Sequence, residues 1–190
     1  MFLGLDASTQ SLTAFLIDPT SDRIACEKSV NFGKDLPQFG CPNGFIPDGR
    51  NGEVHSDPLM WLQALDTLFS ELAEEIDLSA VTMIAGSGQQ HGSVYVDASF
   101  DERLATLEPS RNLVDQLSGA LTRATSPIWM DTSTRIECEE ITRALGGPDE
   151  VCRRSGSIAI ERFTGPQIRR FSKLDSDGYA RTHRIHTVSY

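Results

Sequence analysis

Long apolar runs are missing from this 190-residue chain. No stretch could cross a bilayer as a helix, and the N-terminus lacks the basic start and apolar centre of a secretory signal. Cysteine is scarce. Cys26, Cys41, Cys138 and Cys152 form no C-x-x-C pair, and no histidine stands at zinc-finger spacing from them. This excludes the common zinc modules and predicts free thiols in a cytoplasmic protein. Positive charge is short as well: 17 Lys and Arg face 27 Asp and Glu, a formal net charge of -10. Such a surplus of anions argues against nucleic acid and against an anionic membrane as general partners. Local phosphate binding by backbone N–H groups remains open to it. Internal repeats and low-complexity tracts are also lacking. What is there, 39% hydrophobic and 23% charged residues, suffices for one domain with a sizeable core.

Residues 2–6 and 12–17 are apolar runs around the polar turn Ala7-Ser-Thr-Gln-Ser11. With the loosely alternating residues 23–32 they predict three strands in two successive antiparallel hairpins. Residues 33–56, rich in Gly, Pro, Asn and Asp, read as a long surface loop, a feature that is often functional. Asp57-Pro58 then supplies a capping acceptor and a proline at the first helical position. Leu59, Leu62, Leu65, Leu68, Phe69, Leu72, Ala73 and Ile76 follow at helical spacing. Residues 81–87 read as a buried strand, 93–96 as another, and 128–130 as a short third; weak short helices lie between them. Helices are predicted over 132–145, with Ser133 or Thr134 as cap and Gly146-Gly147 as stop, over 148–154, and from Gly165-Pro166, with Ile168 and Phe171 on one face. Residues 185–190 read as the start of a further element. The order of elements gives a mixed α/β fold opened by antiparallel strands.

Four segments could carry chemistry. Asp6-Ala-Ser-Thr-Gln-Ser11 between two strands presents backbone N–H groups and hydroxyls to phosphate oxygens, and Asp6 could hold Mg²⁺ through its waters; an ordinary polar hairpin turn has the same wording. Ala85-Gly-Ser-Gly-Gln-Gln-His-Gly92 combines close backbone approach with two amides and an imidazole, groups that sugar hydroxyls want; a polar strand-to-strand turn is the alternative. Trp129 and Asp131, two residues apart, would share one side of a strand, as in sites pairing an apolar ring with a carboxylate; a core tryptophan with Asp131 capping the next helix is the other reading. Arg162 in Ile160-Glu-Arg-Phe-Thr-Gly165 is a five-donor fork for hydroxyls or carboxylates, or else a surface arginine.

The order and wording of these segments are more specific than any one of them. Asp6-x-Ser-Thr-Gln-Ser11, Ser87-Gly-Gln-Gln-His-Gly-Ser-Val-Tyr95, Pro127-Ile-Trp-Met-Asp-Thr-Ser-Thr134 and Glu161-Arg-Phe-Thr-Gly-Pro-Gln-Ile168 resemble, in sequence order, the motifs of xylulokinase-like members of the FGGY carbohydrate kinases. The resemblance implies an actin-like, ribonuclease-H-like ATPase fold, with residues 1–190 as an incomplete N-terminal sugar-binding domain and the C-terminal nucleotide-binding domain absent. It implies a ketose substrate, with D-xylulose phosphorylated by ATP; ribulose, glycerol or another polyol, or an inactive sugar-binding fragment, are the alternatives. Gln90 and His91 would contact the ketose, with Arg162, Trp129 and Asp131 nearby. Asp6 would face Mg²⁺, and Ser8, Thr9 and Gln10 would lie near the transferring phosphate. The general-base aspartate is expected beyond Tyr190, and a homodimer is left open. Ala7 departs from the glycine-containing turn of relatives outside the xylulokinase group.

Overall fold

A computed structural model describes residues 1–189. The strands and helices, in chain order, are β1 (Phe2–Ala7), β2 (Ser11–Asp18), β3 (Arg23–Asn31), α1 (Phe32–Asp35), β4 (His55–Ser56), α2 (Pro58–Glu75), β5 (Met83–Gly88), β6 (Ser93–Val96), α3 (Phe100–Ala105), α4 (Leu113–Leu117), β7 (Ser126–Pro127), α5 (Arg135–Leu145), α6 (Pro148–Ser155), α7 (Thr164–Leu174), α8 (Ser176–Arg181) and β8 (Arg184–Thr187).

The main sheet runs β3-β2-β1-β5. The two opening hairpins are antiparallel as predicted, and β5 joins β1 in parallel, which makes the sheet mixed. Alternate residues of β2, Leu12, Ala14 and Leu16, turn one face to the core, as a half-buried strand requires. Helix α2 lies across that face, with Asp57 Oδ1 accepting from Leu59 N–H and Pro58 opening the first turn. Its buried stripe is Met60, Ala64, Leu68 and Leu72, spaced every four residues. Leu59 and Leu62, predicted for that stripe, stay half-buried because α2 is rotated toward Met60.

Three expectations are corrected. The strand predicted as buried over 81–87 is β5, and it is the open edge of the sheet: Met83 is 64% and Ile84 61% exposed. It pairs on one side only, with β1. Residues 128–130 are not a strand, because the chain turns there with Asp131 N–H donating to Ile128 O at 2.9 Å. The strand at this point is the two-residue β7, which pairs with β4. The long loop predicted over 33–56 contains α1 and a 3₁₀ turn at Pro37–Phe39. The final predicted element is β8, antiparallel to β6, and all four cysteines are free thiols.

Candidate functional site

The β1–β2 turn is closed by Ser8 N–H donating to Ser11 O at 2.9 Å, with the Ser8 hydroxyl 3.1 Å from the same carbonyl. Gly44, at φ +84°, packs its backbone on this turn so closely that a Cβ would overlap the Thr9 carbonyl. From the other side the Trp129 indole N–H donates to Thr9 Oγ1 at 3.0 Å. Both braces hang from the β4–β7 ribbon: the Ser56 hydroxyl donates to Gly44 O at 2.6 Å, and Trp129 lies two residues past Pro127.

Parallel pairing of β1 and β5 sets Asp6 opposite Ser87, whose hydroxyl donates to Asp6 Oδ1 at 2.8 Å. The chain leaving β5 turns sharply at His91, which has φ +65°, a left-handed conformation rare in a residue with a Cβ. The His91 ring packs on Phe163, with centroids 5.0 Å apart. Burial, and then the nearby positive charge of Arg162, hold the imidazole below the usual histidine range. It is therefore neutral at neutral pH and carries one donor and one acceptor nitrogen.

These elements enclose a cleft of about 510 Å³. Asp6, Ser8 and Thr9 line it from the β1–β2 turn, and Gln89, Gln90 and His91 from the segment after β5. Gly88, Trp129 and Arg162 complete the lining. Gln10 faces a neighbouring hollow, with Phe45 and Met130. A third hollow of about 470 Å³, lined by Leu5, Leu12, Phe32, Trp61 and Val188, is apolar and lacks converging polar groups.

Asp131 stands apart. It is fully buried and does not line the cleft, so it and Trp129 do not act as a pair on one side of a strand. Its carboxylate accepts from Val54 N–H at 2.9 Å, Ser133 N–H at 2.9 Å, the Ser133 hydroxyl at 2.6 Å and Gln167 Nε2 at 2.7 Å. His55 Nε2 lies 3.3 Å away, and His55 Nδ1 is 2.8 Å from Thr125 Oγ1. Burial pushes the Asp131 carboxyl up, but the adjacent His55 ring and the hydrogen bonds from Ser133 and Val54 outweigh it and hold the group well below the usual carboxylate range. Gln167 Nε2 and the Thr134 hydroxyl both donate to Glu161 O, the residue before Arg162. Asp131 thus organises the loops that carry Trp129 and Arg162. The N-terminal turn of α5 is served by Asp131 bonding Ser133, while the Thr134 side chain makes no capping bond.

Sequence reasoning missed Ser87, His55, Phe163 and Gln167. Ser87 meets Asp6 only through the parallel register, and His55 meets Asp131 only through the β4–β7 ribbon, so neither leaves a local signal. Ser87, Phe163 and Gln167 stood in quoted motifs without an assigned role.

No protein-family model matches the chain. All of it aligns with xylulose kinase 2 of Arabidopsis thaliana at 43% identity over 191 residues, and with the xylulose kinase of Schizosaccharomyces pombe at 42% over 190. It spans about a third of their length, 34% and 33% respectively. The solved structure of a xylulose kinase from Rhodospirillum rubrum superposes over 98% of this chain and 32% of its own, with a TM-score of 0.70 at 17% identity. The fold is that of the matching third of these carbohydrate kinases, the actin-like ATPase fold. The relatives matched at about 40% identity bear the name xylulose kinase.

Proposed function

We propose that residues 1–190 form the sugar-binding, N-terminal part of a cytoplasmic kinase that transfers the γ-phosphate of ATP to D-xylulose, forming xylulose 5-phosphate. The observation that carries this reading is the convergence of residues 6, 8, 9, 88–91, 129 and 162 on one polar cleft. Neutral His91 and the Gln90 amide offer donors and acceptors to ketose hydroxyls, Arg162 offers a fork of donors, and the Trp129 ring an apolar wall.

The residues fit a magnesium-bound phosphate. Asp6 is exposed and uses one carboxylate oxygen for Ser87, and among the described residues no group of three or more metal-ligating side chains occurs. A lone carboxylate with water and phosphate oxygens is the usual surrounding of Mg²⁺ in such sites. When bound, ATP with Mg²⁺ supplies the phosphoryl group and neutralises its charge. In this reading Ser8 and Thr9, which line the cleft, lie near the transferring phosphate, while Gln10 faces the neighbouring hollow.

Asp6 is the only carboxylate among the described residues lining the cleft. It cannot both face the metal and take the proton of the attacking hydroxyl; with His91 kept for the sugar, we assign that proton to an aspartate outside residues 1–190, as the resemblance implies. Losing such a base costs about 10²- to 10⁴-fold, and losing the grip on ATP removes up to roughly 7–11 kcal/mol of proximity advantage. The test is a coupled assay with ATP, Mg²⁺ and D-xylulose on the 190-residue chain beside a chain extended to the relatives' length. The short chain should show no turnover and the long one should turn over. Robust turnover by the short chain would place the base within it, and none by the long chain would refute the xylulose reading.

A further inference from the structure

Polar groups around the cleft are mostly served within the fold. The exposed Ser87 hydroxyl bonds Asp6, the buried Ser93 hydroxyl bonds Tyr95, and buried Gln167 bonds Asp131 through Nε2, although its Oε1 has no partner among the described residues. Gln89 is different. Its backbone N–H donates to Ala7 O at 2.8 Å, which extends the β1–β5 pairing by one residue and fixes where the side chain starts. The residue is 9% exposed, yet neither Oε1 nor Nε2 has a hydrogen-bond partner among the described residues. The side chain passes Gly92, with Cγ 3.6 Å from where a Cβ would stand there. Among the described residues, Gln89 is the only one with a buried, unpartnered side-chain polar atom that also lines the polar cleft. Trp61, whose Nε1 is also unpartnered, lines the apolar hollow instead.

A carboxamide buried with both ends unmet destabilises the fold, because its lost hydration is not replaced. An apolar side chain of the same length would fill the space without that cost. Such exceptions call for a specific cause. A ligand in the cleft is one, since the empty fold then bears the cost and the complex recovers it.

We propose that Gln89 is a substrate-reading residue of this cleft. On ligand entry its carboxamide turns toward the cleft that the residue lines. There it donates to one oxygen and accepts from the hydroxyl on the neighbouring carbon of a polyhydroxylated ligand. A ketose carbonyl and its flanking hydroxyl present that pair. The inference rests on the ketose reading above and adds a third reading residue beside Gln90 and His91.

The experiment pairs two readouts on the 190-residue chain: thermal unfolding without ligand, and calorimetric titration with D-xylulose. Gln89→Met keeps length and volume while removing both polar atoms. The variant should melt about 2–4 °C higher than wild type and bind D-xylulose about tenfold more weakly. A lower melting temperature in Gln89→Met would mean that the amide is structural and would overturn the proposal, whatever the binding. Equal D-xylulose affinity in wild type and variant would overturn the role of Gln89 and leave the ketose reading standing. Absence of D-xylulose binding in wild type would overturn this inference, while the ketose reading is decided separately by turnover of the extended chain.

Discussion

Asp131 carries its charge with no exposed surface, and the hydrogen bonds around it are what make that tolerable. Asparagine at this position would turn an N–H₂ group toward Val54 N–H or toward the Ser133 and Gln167 donors, since the carboxylate accepts on both oxygens. D131N should therefore lower stability by about 2–4 kcal/mol in urea unfolding. The pH dependence follows from the lowered folded value. The stabilisation is fully present above the ordinary carboxylate range and is lost as pH falls through the depressed folded value. Wild type should lose stability along that acid limb and D131N should lose less; parallel acid limbs would mean that Asp131 is not the group responsible. His91 gives a second test at this scale. Its imidazole is held down first by burial and second by Arg162. R162Q should move the His91 titration, followed by NMR, upward and still leave it below the ordinary histidine value, because burial remains. An unmoved titration would separate the two side chains.

At the scale of the element, α2 shows which face of a helix matters. Met60 is fully buried, while Leu62, two positions on, is half-buried. M60A should cost about 2–5 kcal/mol and L62A about 1 kcal/mol or less, measured side by side in denaturant. The reverse order would mean that α2 sits in another rotation. This helix was legible from its sequence as an element, since Asp57-Pro58 marks the start locally, but its rotation was not. Spacing of leucines every three residues is compatible with two neighbouring faces, and the sheet opposite chooses between them. The opening hairpins were legible for the same local reason: apolar runs around turn residues. The exposure of β5 was not, because an apolar strand reads alike in the centre of a sheet and at its edge. The burial of Asp131 was equally hidden, since its partner Val54 lies 77 residues away in sequence. The cleft stood between these cases. Its residues were named from motifs, but only the sheet register and the Asp131 loops show which of them meet.

The whole molecule has an acidic surface interrupted by the open edge of β5. Met83 and Ile84, adjacent on that strand, put exposed apolar side chains on both faces of the sheet, beside unpaired backbone groups. Such edges template strand addition by other chains. Ile84→Lys should leave unfolding within about 0.5 kcal/mol of wild type and reduce concentration-dependent light scattering; unchanged scattering would place self-association elsewhere. The β4–β7 ribbon has a different consequence. Residues 47–52 are exposed, but the chain on either side is tied down: Ile46 N–H donates to His55 O at 2.8 Å, Thr132 N–H to Gly52 O at 2.9 Å and the Ser56 hydroxyl to Gly44 O at 2.6 Å. Covalent continuity at Arg50 is thus dispensable to the turn that Gly44 braces. A single tryptic nick there should give two bands on a denaturing gel and one peak on gel filtration, with Trp129 fluorescence unaltered. A molecule that holds together when severed at this point could be expressed as two complementary pieces joined at the ribbon.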